Sequence, residues 1–305
     1  MYFIRICIII LIFFMAKAGQ AQERDTLKLA MAQMLVEGGE KEANLKRAAD
    51  KIKEAATNSA DIVLLPEAMD IGWTHSSAKT LAEPIPGGTT FQVLSKAAKE
   101  NKVYVCAGII EKDGGRIFNS AVLIEREGKL LLKHRKINEL DIAHDVYDQG
   151  DRINVCVTEF GTIGLLICAD ATAKDNILTR SLGYLGAGLI LLPSAWAVEP
   201  THVNSKNPYG GLWLNAFNPV CKEFNLNIAA VSNVGEITDG PWEGWYCIGN
   251  SIFIGNNGDP VTVLPYGKSA DTIVYQDVVL LERPGRGTTW YKYWDDLKGK
   301  NRKNP

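Results

Sequence analysis

A carboxylate, an ammonium and a thiol each stand at the end of an apolar run in this 305-residue chain. Glu67 closes DIVLLPE, Lys136 closes LLLKHRK, and Cys168 closes TIGLLIC. A thiol attacks as its thiolate, so it needs a base or a positive neighbour. Glu67 can accept its proton, and Lys136 can steady both the thiolate and the oxyanion formed at an attacked carbon. The backbone N–H of Ala169, one residue past the thiol, is placed as a second oxyanion donor if Cys168 sits on a strand-to-helix turn. Together these are the parts of a cysteine hydrolase. Singly, each has a plainer reading: a surface carboxylate or helix cap, a solvated lysine, a buried small hydrophobe.

Positioning such groups requires a framework, and the hydrophobic periods supply one. LKLAMAQ reads as a strand. EKEANLKRAADKIKEAA follows as an amphipathic helix, with Leu45, Ala48, Ala49, Ile52 and Ala56 on one face. DIVLLPE is a short strand buried on both faces, TTFQVLSKAAKENK a second helix, and VYVCAGIIE the next strand. FNSAVLIEREGKLLLKHRK predicts a hairpin turning near Glu127-Gly128, and INVCVTEFGTIGLLIC two strands meeting near Gly161. AKDNILTRSLGYLGAG is helical, LILLPSAW is another buried strand, and GLWLNAFNPVCKEFN is a helix leading into IAAVSNVG. NSIFIGNNGDPV forms a hairpin around Asn257-Gly258. Strands alternating with helices define an α/β architecture. SADIVLLPE and GAGLILLPS echo one another as helix exits followed by a strand ending Leu-Leu-Pro. Strand ends of this kind are where α/β folds place their sites.

With 46% apolar and 22% charged residues and a net charge of -2, the chain has ordinary globular composition and no sign of a nucleic-acid surface. Arg5, an apolar run from Ile6 to Met15 and a small-residue exit read as a signal peptide over residues 1–21, cleaved near Ala21. The run is too short for a membrane span, which needs about 20 apolar residues. Export to the periplasm or medium is the expectation, with a retained anchor as the alternative. One domain is expected over residues 25–290, then a polar basic tail over 291–305. Without Cys7 five cysteines remain, an odd number that leaves at least one free thiol and makes no disulfide scaffold. His75, His134, His144 and His202 are scattered and no metal motif is present, so no metal site is expected.

LLPE at 64–67, KHRKI at 133–137 and GLLICAD at 164–170, in that order, resemble the nitrilase superfamily of carbon–nitrogen hydrolases. Flanking stretches such as FNSAVLI, LLPSAW and GNSIFIGNNGDPV agree, so the resemblance covers residues 27–280. It implies a four-layer αββα sandwich of the nitrilase type, no cofactor, a small amide or nitrile as substrate, and a homodimer able to stack further. Glu67 would be general base, Lys136 oxyanion stabiliser and Cys168 nucleophile. Attack would give a thioester, release ammonia or an amine, and admit water to yield an acid. Many members carry a second glutamate between the lysine and the cysteine. Counting back from Tyr147 and Gly150 through INELDIAHDVYDQGD puts His144 or Asp145 there, with Glu139 and Asp141 earlier. Trp196 stands close behind a strand end, His75-Ser76-Ser77 after Trp73 is a candidate lining of the entrance, and the loop with Trp242, Trp245 and Tyr246 is a candidate apolar wall, although an aromatic loop suits a dimer contact equally. Arg152 and Arg180 read as surface residues, so no carboxylate-binding arginine is assigned. Nitrilase or N-carbamoyl chemistry on the same triad remains an alternative. So does a non-catalytic exported binding protein, whereas a papain-like protease would need a histidine partner in a matching motif.

Overall fold

The computed structural model describes residues 26–281, 294 and 297–299. Two six-stranded mixed sheets lie face to face between two pairs of helices, an αββα sandwich as expected. The first sheet joins β1 (Leu27–Gln33), β2 (Ile62–Leu64), β3 (Tyr104–Asp113), β4 (Arg116–Ile124), β5 (Leu130–Arg135) and β15 (Thr272–Val278). The second contains β6 (Val155–Thr158), β7 (Gly161–Leu165), β8 (Leu189–Ser194), β10 (Asn227–Ser232), β13 (Ile252–Ile254) and β14 (Pro260–Val263). A small third sheet, β9 (Ala197–Val198), β11 (Val234–Glu236) and β12 (Tyr246–Ile248), closes one end.

Alternation along the strands builds the layers. Leu29, Met31, Leu64, Cys106 and Leu123 point from the first sheet into the core shared with Leu165, Leu191 and Ile228 of the second. Their neighbours Ala30, Val63, Val105 and Val122 face the other way. There they meet Leu45, Ala48 and Ile52 of α1 (Lys41–Thr57) and Phe91, Leu94 and Ala98 of α3 (Thr89–Asn101). The short α2 (Ala78–Leu81) lies in the connection between them. On the far side α4 (Ile177–Tyr184) and α5 (Gly211–Phe224) cover the second sheet, so close that a Cβ at Gly183 would stand 2.4 Å from the Phe224 ring.

The two sheets share one plan. The first runs β15-β1-β2-β3-β4-β5, and the second, read from its other edge, runs β6-β7-β8-β10-β13-β14. Each has an antiparallel edge strand, three parallel strands and two further antiparallel strands. This equivalence explains the Leu-Leu-Pro echo, since β2 and β8 are the matching central strands. Their ends meet, the Glu67 N–H donating to the Ser194 carbonyl at 3.2 Å.

The helices and strands read from periodicity are all present. The hairpin expected near Glu127-Gly128 joins β4 to β5, and the one around Asn257-Gly258 joins β13 to β14. Two additions were not anticipated: β15, which pairs with β1 from Leu27↔Val278 to Gln33↔Thr272, and the three-stranded sheet. The signal-peptide reading of residues 1–21 and most of the tail reading of 291–305 fall outside the described residues.

Candidate active site

Each of the three residues flagged by type is placed by a different strand end. Glu67 follows β2 and Pro66, fully buried. The backbone packs so tightly there that a Cβ at Gly108 would lie 2.5 Å from the Glu67 Cα. Lys136 follows β5, its N–H donating to the Asn119 carbonyl at 2.8 Å. Cys168 follows β7 after Leu166 and Ile167, opening a 3-10 turn that runs to Thr172. Its φ of +43° lies in the left-handed region, a strained conformation for a side chain with a Cβ that re-aims the thiol off the strand end.

The side chains converge. Lys136 Nζ donates to Glu67 Oε1 at 2.8 Å, and Asn119 Nδ2 donates to the same oxygen at 2.7 Å. Glu67 Oε2 has no hydrogen-bond partner among the described residues. Lys136 Nζ also lies 3.3 Å from Glu139 Oε2, so two buried carboxylates flank one buried ammonium. Burial alone would lower the lysine's pKa, but the charges of Glu67, Glu139 and Cys168 hold it well above the ordinary value. Burial pushes the Cys168 thiol far up, Glu67 pushes it further, and Lys136 and the Ala195 N–H only partly oppose them. Burial thus favours the neutral thiol over the thiolate in the resting site. Glu139 is pushed up by burial and by Glu67, with Lys136 opposing.

Asp170, two residues past the thiol, ties these pieces together. Its Oδ1 accepts from the N–H of Ile137 (3.0 Å) and Asn138 (2.8 Å), just beyond Lys136. Its Oδ2 accepts from the N–H of Ile167 (3.0 Å), just before Cys168, and from His134 Nε2 (2.8 Å). Burial would raise this carboxyl, but the His134 contact and these N–H donors hold it below the ordinary aspartate range.

Above the thiol opens a cavity of about 190 Å³, lined by Glu67, Lys136, Cys168, Ala169 and a largely aromatic wall. Trp73, Trp242, Trp213 and Tyr209 belong to that wall. The remaining aromatic candidates stand behind it: Trp245 stacks on Trp242 at 4.7 Å and the buried Trp196 stacks on Trp213 at 4.7 Å. Tyr246 faces a different surface hollow, with Lys268. Arg152 is exposed and Arg180 pairs with Glu223, so neither lines the cavity. Cys106, Cys221 and Cys247 are buried and Cys156 half-buried, all as free thiols.

The structure sets Glu139, and not His144 or Asp145, beside Lys136. His144 and Asp145, expected there, are exposed. Counting back from Gly150 failed because a 3-10 turn, Asp141–Ala143, carries the chain outward before it reaches that glycine. The usable signal was the spacing of three between Lys136 and Glu139, which brings the two side chains together beyond β5. Asn119 and the His134–Asp170 pair were also missed. Both lie inside the motifs already quoted, but their role depends on pairing between β4 and β5 and between the two sheets.

Fold and cavity together define an enzyme class: a hydrolase that works through a cysteine nucleophile on an αββα sandwich. The chain belongs to the carbon–nitrogen hydrolase family, whose profile matches residues 28–282. It is 34% identical over 189 residues to the omega-amidase NIT2 of Bos taurus, the match covering 58% of this chain and 67% of that protein. The carbon–nitrogen hydrolase of Helicobacter pylori superposes with a TM-score of 0.74 at 20% identity, over 85% of this chain and 90% of that one. A variant amidase of Nesterenkonia, with a covalent acetamide adduct at its active-site cysteine, superposes with a TM-score of 0.70 at 17% identity, over 92% and 98% of the two chains. At such identities the two structures establish the fold.

The expectation of export is overturned. Curated relatives of this chain are intracellular omega-amidases.

Proposed function

We propose that this hydrolase cleaves the carbon–nitrogen bond of a small, non-peptide amide, with Cys168 as nucleophile, Glu67 as general base and Lys136 as electrostatic stabiliser. The observation that carries the reading is the division of labour on Glu67. Oε1 is held by Lys136 and Asn119, while Oε2 stays unengaged in the cavity that holds the thiol. That oxygen takes the thiol proton as sulfur bonds to the amide carbon. The oxyanion is stabilised by the Lys136 ammonium and a backbone N–H such as that of Ala169. As the C–N bond breaks, Glu67 returns the proton to nitrogen and ammonia leaves a thioester on Cys168. Water, deprotonated by Glu67, then attacks the thioester, releasing the acid and restoring the thiol. The omega-amidase relatives support this choice over nitrile or carbamoyl chemistry.

The catalytic unit in this proposal is one domain over residues 25–290, and it works as a homodimer. Exposed Ile177 and Tyr184 on α4 support an apolar contact between copies. Light scattering tests the assembly, and a monomer at assay concentration would refute it. For the chemistry, ammonia release is measured with aliphatic amides, nitriles and N-carbamoyl compounds, alongside mass spectrometry of the quenched enzyme. Amide turnover with an acyl mass on Cys168, both lost in Cys168→Ala, is expected. Silence on all three classes with a reduced Cys168 would sink the proposal, and turnover of nitriles alone would move it to nitrile chemistry.

A further inference from the structure

The wall of the cavity says which amide. Past the reacting centre its surface comes from Trp73, Leu140, Tyr209, Leu212, Trp213 and Trp242. Trp242 is fixed from both sides, tilted against Trp73 at 4.8 Å and stacked on Trp245 at 4.7 Å, so this wall is rigid as well as apolar. Among the described residues, the charged side chains lining the cavity are Glu67 and Lys136 alone. Lys136 is not free to receive an anionic substrate group, since its ammonium is shared between Glu67 at 2.8 Å and Glu139 at 3.3 Å. Two carboxylates around one ammonium would repel a further anion, and an arginine such as Arg180 is already paired elsewhere. A carboxylate on the acyl chain would thus give up its water without finding a partner, whereas a methylene or phenyl group would gain burial.

Building on the amide-hydrolase reading above, we infer that the site selects uncharged amides with an apolar acyl group, aryl or alkyl, and rejects monoamides of short dicarboxylic acids. The cavity, about 190 Å³, has room for a short alkyl chain or a phenyl ring beyond the carbonyl. Leu212, exposed at the rim, is where a charge could be introduced to reverse the preference.

The test compares kcat/KM for ammonia release from pentanamide, phenylacetamide and succinamate, the first and last being nearly equal in size. Each neutral amide should exceed succinamate by about a hundredfold or more, the scale expected for desolvating an unpaired charge. Leu212→Arg should narrow that ratio at least about tenfold, by raising succinamate turnover as well as lowering that of pentanamide. A wild-type ratio of tenfold or less, or a preference for succinamate, overturns the specificity inference and leaves the amide-hydrolase reading standing. No ammonia from any of the three, with Cys168 reduced, overturns both.

Discussion

Replacing Asp170 by asparagine changes one atom and should disturb both halves of the site. The carboxylate is fully buried and accepts four hydrogen bonds, two on each oxygen. A carboxamide keeps one acceptor oxygen and turns an N–H₂ towards the other pair: facing Ile137 and Asn138 it strands both N–H groups, and facing Ile167 and His134 it strands the Ile167 N–H, since the imidazole can accept in its other tautomer. At about 1.5–3 kcal/mol for each bond to a charged group, the loss of one or two is about 1.5–6 kcal/mol. At roughly 2–3 °C per kcal/mol for a domain of this size, Tm should fall by about 3–18 °C. Ile137 and Asn138 sit next to Lys136, and Ile167 next to Cys168, so misplacement of either group by about 1 Å should cost about a hundredfold in kcat. KM should change much less, because Asp170 does not line the cavity. The pH dependence has a definite sign. Asp170 is held below its ordinary value of 3.8, so its stabilisation is complete above that pH and vanishes as pH falls through its lower folded-state value. In urea unfolding, the gap between wild type and variant should be constant from pH 7 to about 5 and close below about 4. A Tm within 2 °C of wild type and kcat within twofold, or a gap that widens in acid, would refute this account of Asp170.

Lys136→Met should abolish turnover and destabilise the fold by about 3–5 kcal/mol, because Glu67 and Glu139 then face one another without a cation. Adding Glu139→Gln should recover much of that stability but no activity, as thermal denaturation and ammonia release would report. Glu139→Gln alone bears on pH: the Glu139 carboxyl is raised in the folded state, so its contribution is complete below the unfolded carboxylate range and is lost as pH rises through its folded value. That variant should lose less stability than wild type on going from acid to neutral pH, measured by denaturant midpoints; an equal loss in both would count against the buried carboxylate pair. Gly108→Ala should lower activity at least about tenfold by pushing on the Glu67 backbone, and cost about 1–3 kcal/mol from overpacking. Wild-type kinetics in that variant would show the backbone to be more forgiving than the 2.5 Å approach implies.

The frame of the site was legible because its signals are local. The 3.6 period of α1 and the buried runs of β2, β7 and β8 each announce an element within a dozen residues, and the groups that end those runs are the ones that meet. What escaped depends on partners far away in sequence. TIVYQDV is only partly buried and becomes β15 by pairing with a strand about 240 residues earlier. Asn119 escaped because β4 lays it beside Glu67, and Asp170 because two turns from different sheets converge on it. Glu139 was masked by a count that assumed an even chain path through a helical turn. The apolar N-terminus shows the opposite failure, a strong local pattern whose export reading the relatives of this chain contradict.

The matched plan of the two sheets divides the machinery between them. Residues up to about 150 supply Glu67, Lys136 and Glu139, while Cys168 and much of the aromatic wall come from the later strands and helices. On the proposed mechanism neither portion acts alone, so turnover would report on whether the halves have docked. Cutting the chain in the exposed stretch around Asp151 and Arg152 would leave the first sheet short of β15 and the second nearly whole. Two inert fragments that regain activity on mixing would make this enzyme a complementation sensor, its signal gated by the Glu67–Ser194 contact at the junction.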